Sequence, residues 1–215
     1  MKRFLTAILT LVMVLTLLPG CSGDTPAPSG GETNADGIKT GGTIIIGQSA
    51  EPITLNPDGK TDNAMDIVAQ NIFSRLLKTN NNEEIILDLA TGYTVSEDGL
   101  TYTFTLPENV KFHDGEPFTS DDVKFTFENI IAQQCFAATS LSNLESVTCP
   151  DDYTVEFHLK QMDARFLSTL AYNGVHILPR HVYENQDWMD DDSMQTPIGT
   201  GPFKFSEWKK GVSIT

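Results

Sequence analysis

Positive charge, cysteine and tryptophan are all scarce in these 215 residues: 14 Lys and Arg stand against 29 Asp and Glu, with three Cys and two Trp. The acidic excess, −15 at pH 7, argues against nucleic acid and anionic lipid surfaces as partners, because both repel a negative chain. Three cysteines cannot build a disulfide-dense scaffold, so an apolar core must hold the body together. The apolar run from Phe4 to Leu18 is shorter than the ~20 residues of a membrane-spanning helix. Chemistry-bearing motifs are also missing. Gly199-Thr200-Gly201 lacks the Lys-Ser/Thr of a phosphate loop. Asp190, Asp191 and Asp192 lack the glycine and distal glutamate of a calcium loop, and read as a solvated loop. Histidines 113, 158, 176 and 181 show no tight ligand spacing. No set of nucleophile, base and oxyanion donor is visible. The sequence therefore reads as a non-enzyme with no metal and no cofactor.

The N terminus carries an address. Lys2 and Arg3 precede the apolar run, and Leu18-Pro19-Gly20-Cys21 ends it. A basic head, a short apolar core and small residues at its end predict an export signal over 1–20, and the A-x-A site of an ordinary secretory signal is lacking. The final four residues resemble the lipobox of bacterial lipoproteins, where cleavage falls before the cysteine and its thiol takes a diacylglyceryl group. The resemblance makes Cys21 the lipidation site and puts the body at the cell membrane, lipid-anchored and facing outward into the extracellular or periplasmic space. Two acyl chains anchor stably where one does not. Residues 22–41 have Ile38 as their only large aliphatic side chain; they cannot bury enough apolar surface to offset ordering, which predicts a flexible tether over 21–41. Removing Lys2 and Arg3 with the leader takes two positive charges away, so −15 becomes −17.

The remaining chain has the length of one or two domains and mixes strand and helix patterns. Thr43 to Ile46 is a β-branched apolar run that predicts a buried strand. Pro52 and Asn56-Pro57 break the next stretch into a loop. Asp62 caps an expected helix from Asn63 to about Leu77, with Ile67, Val68, Ile72, Leu76 and Leu77 at helical spacing. Asn80 to Asn82 is a turn. Tyr93–Ser96 and Leu100–Leu106 alternate with period two around Glu97-Asp98-Gly99, which predicts a hairpin. A second hairpin joins Leu144–Cys149 to Tyr153–Leu159 across Asp151-Asp152, with Val155, Phe157 and Leu159 inward and Glu156 and His158 outward. A helix from Ala164 to about Tyr172 and an apolar segment Val175–Leu178 follow. Cys135 and Cys149 have two readings: a disulfide worth about 3 kcal/mol, or two unpaired small hydrophobes.

His113, Asp114 and Glu116 invite a reading as a metal or acid–base site. The plainer reading is a turn followed by a cap. Gly115 is free to take positive φ and Pro117 fixes the exit. Thr119 and Asp122 have capping-box spacing, and Asp121 and Asp122 fall in the first turn, where the helix dipole favours them. Val123, Phe127, Ile130 and Ile131 then form one apolar face.

Five stretches in order, "GGTIIIGQSAEPITLNP", "DLATGYTVSEDGLTYTFTLPENVKFHDGEPFTSDDVKFTFENI", "PDDYTVEFHL", "ILPRHVYE" and "PIGTGPFKFSEW", resemble the family 5 solute-binding proteins of ABC importers, which take oligopeptides, dipeptides and nickel complexes. The resemblance covers nearly everything from Gly41 to Trp208 and is most specific over Asp88–Ile130. It implies an α/β, type II periplasmic-binding-protein-like fold, of which this chain holds the N-terminal part. Residues 42–58 and 168–215 would form an incomplete first ligand-binding lobe, interrupted by an inserted α+β domain over 59–167. The second lobe of family members is not among these residues, and the chain is expected to stop in the second strand of a hairpin turning at Lys210-Gly211. The implied function is capture of peptides for transmembrane transport, with permease subunits of an importer as partners and hinge closure as the mechanism. The alternatives are a nickel- or other small-solute-binding member, or a remnant acting only through interactions. The resemblance makes Ser49, Ala50, Glu51 and Pro52 a cleft-lining loop that offers backbone groups to an extended ligand, and Gly199, Thr200 and Gly201 a second cleft-side turn.

Overall fold

The computed structural model describes residues 32–33, 39–60, 62–171, 175–192 and 194–215. The export signal, Cys21 and most of the tether lie outside the described residues. The chain divides into two compact units, Met1–Gly47 and Gln48–Thr215. Among the described residues no helix is long and apolar enough to cross a membrane.

In the first unit, β1 (Glu32–Thr33) pairs antiparallel with β2 (Lys39–Thr40), a local ladder within a stretch whose composition predicted none. Thr43–Ile46 is not a strand, and Ile44, Ile45 and Ile46 are exposed. The expected buried strand is thus corrected. A β-branched run becomes a strand only where another strand offers its open N–H and C=O groups, and among the described residues none pairs with 43–46.

The second unit opens on a loop in which Thr54, Asn56 and Asp58 are buried and bonded to one another's backbone. Thr54 Oγ1 accepts from the Asn56 N–H, and Asn56 Oδ1 accepts from the N–H groups of Asp58 and Gly59. Helix α1 (Asn63–Ile72) follows, with Asp62 Oδ1 accepting the Ala64 N–H at 2.9 Å. The helix ends at Ile72 rather than at Leu77, because Phe73 turns extended at φ −115, ψ 155. Leu77 instead starts β3 (Leu77–Thr79), which pairs with β4 (Ile85–Leu87) around the Asn80 turn. The inward residues of α1 are Ala64, Met65, Ala69 and Ile72, while Ile67 points to solvent.

Four antiparallel strands form the main sheet: β5 (Gly92–Val95), β6 (Thr101–Thr105), β7 (Leu144–Asp151) and β8 (Thr154–Leu159), in the order β5-β6-β8-β7. Both expected hairpins are present. Tyr102 faces Phe157 and Phe104 faces Val155 across β6 and β8. Their alternating partners Thr101, Thr103, Glu156 and His158 take the other face, where His158 is half-buried against Thr101 and Thr148. Gly99 closes the first hairpin at φ +69. The ladder between β7 and β8 shifts register between Thr148 and Asp151; Pro150 sits in that irregular stretch of an edge strand, the place where a missing N–H is tolerated. Helix α2 (Ser120–Ala132) lies on β7 and β8 and puts Phe127 4.7 Å from Phe157, centroid to centroid. Ile131, expected on its apolar face, is exposed instead. A 3-10 turn (Phe136–Thr139), α3 (Phe166–Ala171) and α4 (Arg180–Tyr183) follow. The chain ends in the hairpin of β9 (Trp208–Lys209) and β10 (Ser213–Ile214), turning at Lys210-Gly211 as expected, with Gly211 at φ +76. Cys135 is buried, Cys149 half-buried, and both thiols are free. Burial, reinforced by Asp58, pushes Cys135 up to about 11, so it is no nucleophile at neutral pH.

Candidate functional site

The loop over 48–53 leaves its own backbone open. Among the described residues no backbone hydrogen bond uses the N–H groups of 48–51 or the C=O groups of 48–52. Ser49, Ala50 and Glu51 are exposed, and Pro52 is buried. The loop is nevertheless tied down at two points. The Ile53 N–H donates to Asp62 Oδ2 at 2.7 Å, so the carboxylate that caps α1 also holds the loop. Glu51 Oε1 accepts from Trp208 Nε1 at 2.9 Å and from the Gly211 N–H at 2.6 Å.

The turn Gly199-Thr200-Gly201 is built the opposite way, with its glycine backbone groups already used. The Gly201 N–H donates to the Ile72 carbonyl at 2.8 Å, and the Phe203 N–H to that of Asn71 at 3.0 Å, which satisfies the open C-terminal end of α1. His113 takes the rest. Its N–H donates to the Gly199 carbonyl at 3.0 Å and its Nε2 donates to the Gly201 carbonyl at 2.8 Å. A carbonyl can only accept, so Nε2 carries the ring proton and Nδ1 is left to face the Gly199 N–H at 3.4 Å. Thr200, between the two glycines, is half-buried, and its hydroxyl is buried without a partner among the described residues. The 49–52 loop and the 199–201 turn therefore meet opposite ends of one ten-residue helix, about 15 Å apart by helical rise.

The turn-and-cap reading of residues 111–122 agrees with the structure. Lys111 bridges Pro117, the Gly115 N–H reaches the Phe112 carbonyl, and Gly115 takes φ +101. Asp122 Oδ2 accepts the Thr119 N–H at 3.0 Å, the return half of a capping box, while Oδ1 accepts the Arg180 N–H at 2.9 Å. Burial pushes the Asp122 carboxyl up despite those bonds. Asp114 pairs with His181 at 2.7 Å; partial burial works against its charge, but the His181 bond and the Glu116 N–H outweigh it and hold Asp114 low. The local sequence makes His113 a turn residue. Its clamp on residues 88 positions away is a tertiary role that no local spacing announces.

The sequence reading also missed a buried polar chain. His176 is 2% exposed inside the apolar segment Val175–Leu178. Arg75 Nε and Nη2 lie 3.1 and 2.9 Å from His176 Nε2, and His176 Nδ1 lies 2.9 Å from Asp58 Oδ1. Arginine only donates, so Nε2 accepts and Nδ1 carries the proton given to Asp58. Burial draws the Arg75 guanidinium down, against the pull of Asp58, Asp66 and Asp88. The signal available in sequence was a histidine within a buried apolar run, which needs partners for both ring nitrogens. Among the described residues no three His, Cys, Asp or Glu side chains group as metal ligands would.

Residues 84–215 match the family model described as bacterial extracellular solute-binding proteins, family 5 Middle. The chain belongs to this family. Over its whole length it is 34% identical to an oligopeptide-binding protein, AppA, of Bacillus subtilis, and spans 41% of that relative. The solved structure of that B. subtilis protein, in complex with a nonapeptide, matches 71% of this chain at 33% identity and a TM-score of 0.63, over 31% of its own length. NikZ from Campylobacter jejuni, in complex with Ni(L-His), matches 76% of this chain at 31% identity and a TM-score of 0.65, over 32% of its own length. The mixed α/β fold seen here is shared with these solute-binding proteins, and other relatives are named as a probable D,D-dipeptide-binding periplasmic protein of Escherichia coli and a putative ABC transporter peptide-binding protein of Brucella ovis.

Proposed function

We propose that this chain supplies one side of the solute cleft of an ABC importer's binding protein, and that the solute is a peptide held through its backbone. The observation that carries the reading is the loop 48–53: tied down at Glu51 and Ile53, exposed over 48–51, with the N–H groups of 48–51 and the C=O groups of 48–52 open. An extended peptide adds to such an edge by main-chain hydrogen bonds, which give affinity without reading side chains. The chain performs no catalytic step in this reading; it selects a closed state through contacts on both sides of the ligand and delivers it to permease subunits. Ser49, Ala50, Glu51, Pro52 and Thr200 line the cleft, and Gly199 and Gly201 hold the turn that carries Thr200. Residues 42–58 and 168–215 belong to the ligand-binding lobe and 59–167 to an insertion, whose unity is supported by the origin of all four main-sheet strands within 92–159. A second reading, a metal–amino-acid complex as solute, is favoured by the fold likeness to NikZ.

The test uses the chain itself, titrated with tri-alanine at millimolar concentrations and followed by amide resonances. One side of a cleft makes only part of the contacts, so affinity in the millimolar range is expected, about 4 kcal/mol of binding free energy. Amides of Ser49, Ala50, Glu51, Ile53 and Thr200 should shift with tri-alanine and stay put with its N-methylated backbone analogue. Shifts confined to other residues, or equal shifts with both peptides, overturn the peptide reading. Shifts with a nickel–histidine complex alone support the second.

We also propose that a lipid on Cys21 anchors the mature protein on the outer side of the cell membrane. Support comes from the lipobox-like end of the apolar run. Cys21→Ala is expected to leave the precursor uncleaved at that point and unlabelled by radioactive fatty acid in growing bacteria. Normal labelling of the variant would reject the anchor.

A further inference from the structure

Glu51 is the one charged side chain of the open loop, and a carboxylate there suggests an anchor for a ligand's ammonium group. The geometry points to a different role. Its Oε1 holds two N–H donors of the β9–β10 hairpin at once, at 2.9 Å from the Trp208 indole and 2.6 Å from the Gly211 amide. Bonds from N–H to an ionised acceptor are roughly twice as strong as neutral ones. Trp208 is steadied further by Lys210, whose Nζ lies 4.9 Å from the ring centroid. Residues 157 and 160 positions apart are joined by this single oxygen. With Ile53 fixed to Asp62 at the other end, the clasp sets the direction of the Glu51 and Pro52 carbonyls between the two ties and of the free N–H groups that lead into Glu51.

We infer that Glu51 is a positioning residue, which clasps the cleft loop to the β9–β10 hairpin so that the loop recognises a ligand through its backbone and not through the Glu51 charge. This rests on the cleft reading above. A loop ordered in advance costs less to bind than one ordered by its ligand. A ligand cation could claim Glu51 only by competing with both donors, and the loop would lose its hold on the hairpin in the exchange.

Hydrogen exchange and indole resonances of the full chain test this. The two tryptophans give two indole signals; Trp188 donates to the Tyr183 carbonyl and serves as the internal reference. In E51A the Trp208 indole and the Gly211 amide should exchange at least tenfold faster while Trp188 is unchanged. In E51Q, whose side-chain carbonyl can still accept both bonds, both rates should return to within about threefold of wild type. Unchanged exchange in E51A overturns the clasp. With tri-alanine as probe, the loop shifts should be lost in E51A and restored in E51Q. Loss in E51Q despite restored exchange would make Glu51 a charge anchor and overturn the inference while leaving the cleft reading standing. Absence of loop shifts in the wild type would remove the cleft reading, and the exchange rates would still decide the clasp.

Discussion

Replacing Gly199 by alanine is expected to destabilise the body by about 3 kcal/mol, at the upper end of what overpacking usually costs. A Cβ at this position would overlap the Ile72 carbonyl oxygen and stand 2.7 Å from Phe73 Cδ1. The first obstacle is backbone, and it is the last carbonyl of α1, so no side-chain rotation relieves it. Either the helix end or the turn must retreat. Retreat breaks the bond from the Gly201 N–H to Ile72, at 2.8 Å, and the bond from the His113 N–H to Gly199, at 3.0 Å. Each such bond is worth about 1 kcal/mol, and more when a buried group is left unpaired. Gly92→Ala makes the control, because a Cβ there meets nothing within 4 Å; its cost should stay under about 1 kcal/mol. Urea unfolding followed by tryptophan fluorescence measures both. A Gly199→Ala midpoint equal to that of the control would mean that the turn is not wedged against α1. The same substitution should move the Thr200 amide resonance, since the turn that carries Thr200 is held by those two bonds.

How much of this was legible beforehand depends on how locally each feature is encoded. The hairpins of the main sheet were, because Tyr102, Phe104, Val155, Phe157 and Leu159 alternate with polar neighbours and a two-residue period leaves one assignment. The turns at Gly99, Gly115 and Gly211 were, because each needs positive φ within a few residues of a strand. Leu76 and Leu77 were misread as helix: their spacing fits α1, but Arg75 and Leu76 are claimed by Asp88 and Leu89, with the Arg75 N–H on the Asp88 carboxylate and the Leu89 N–H on the Arg75 carbonyl. Strands of three residues such as β3 and β4 are too short to show a period. In the candidate site, the residue types of the loop and the glycines of the turn could be read, whereas the partners of Glu51, His113 and His176 could not. Those partners lie 86 to 160 positions away in sequence, and only the folded chain brings them together.

The other large effect is expected at Asp58, which has little side-chain exposure and sits at the end of the chain running through His176 to Arg75. Its Oδ1 accepts both the His176 N–H at 3.1 Å and the Nδ1 proton at 2.9 Å. Asp58→Ala strands the Arg75 charge, which burial already disfavours, and orphans two donors. Removing one partner from a buried charged arrangement costs about 3–5 kcal/mol, a large part of the 5–15 kcal/mol that a domain of ordinary stability has. Asp58→Asn separates charge from shape. Its carbonyl can keep both His176 bonds, so the loss should be near that of a single charge-assisted bond, about 1.5–3 kcal/mol. Asp58 Oδ2 has no partner among the described residues, so the second oxygen contributes nothing that asparagine would lose. The order wild type, Asp58→Asn, Asp58→Ala in urea midpoints supports the relay. Trp188 is a suitable reporter, because its carbonyl accepts from Asn56 two residues before Asp58. Equal midpoints for Asp58→Asn and Asp58→Ala would show that the charge alone matters, and a loss below about 1 kcal/mol in Asp58→Ala would show that His176 and Arg75 find other partners. Either outcome would remove this chain of side chains as the tie between the loop before α1, the segment after it, and the stretch 175–178.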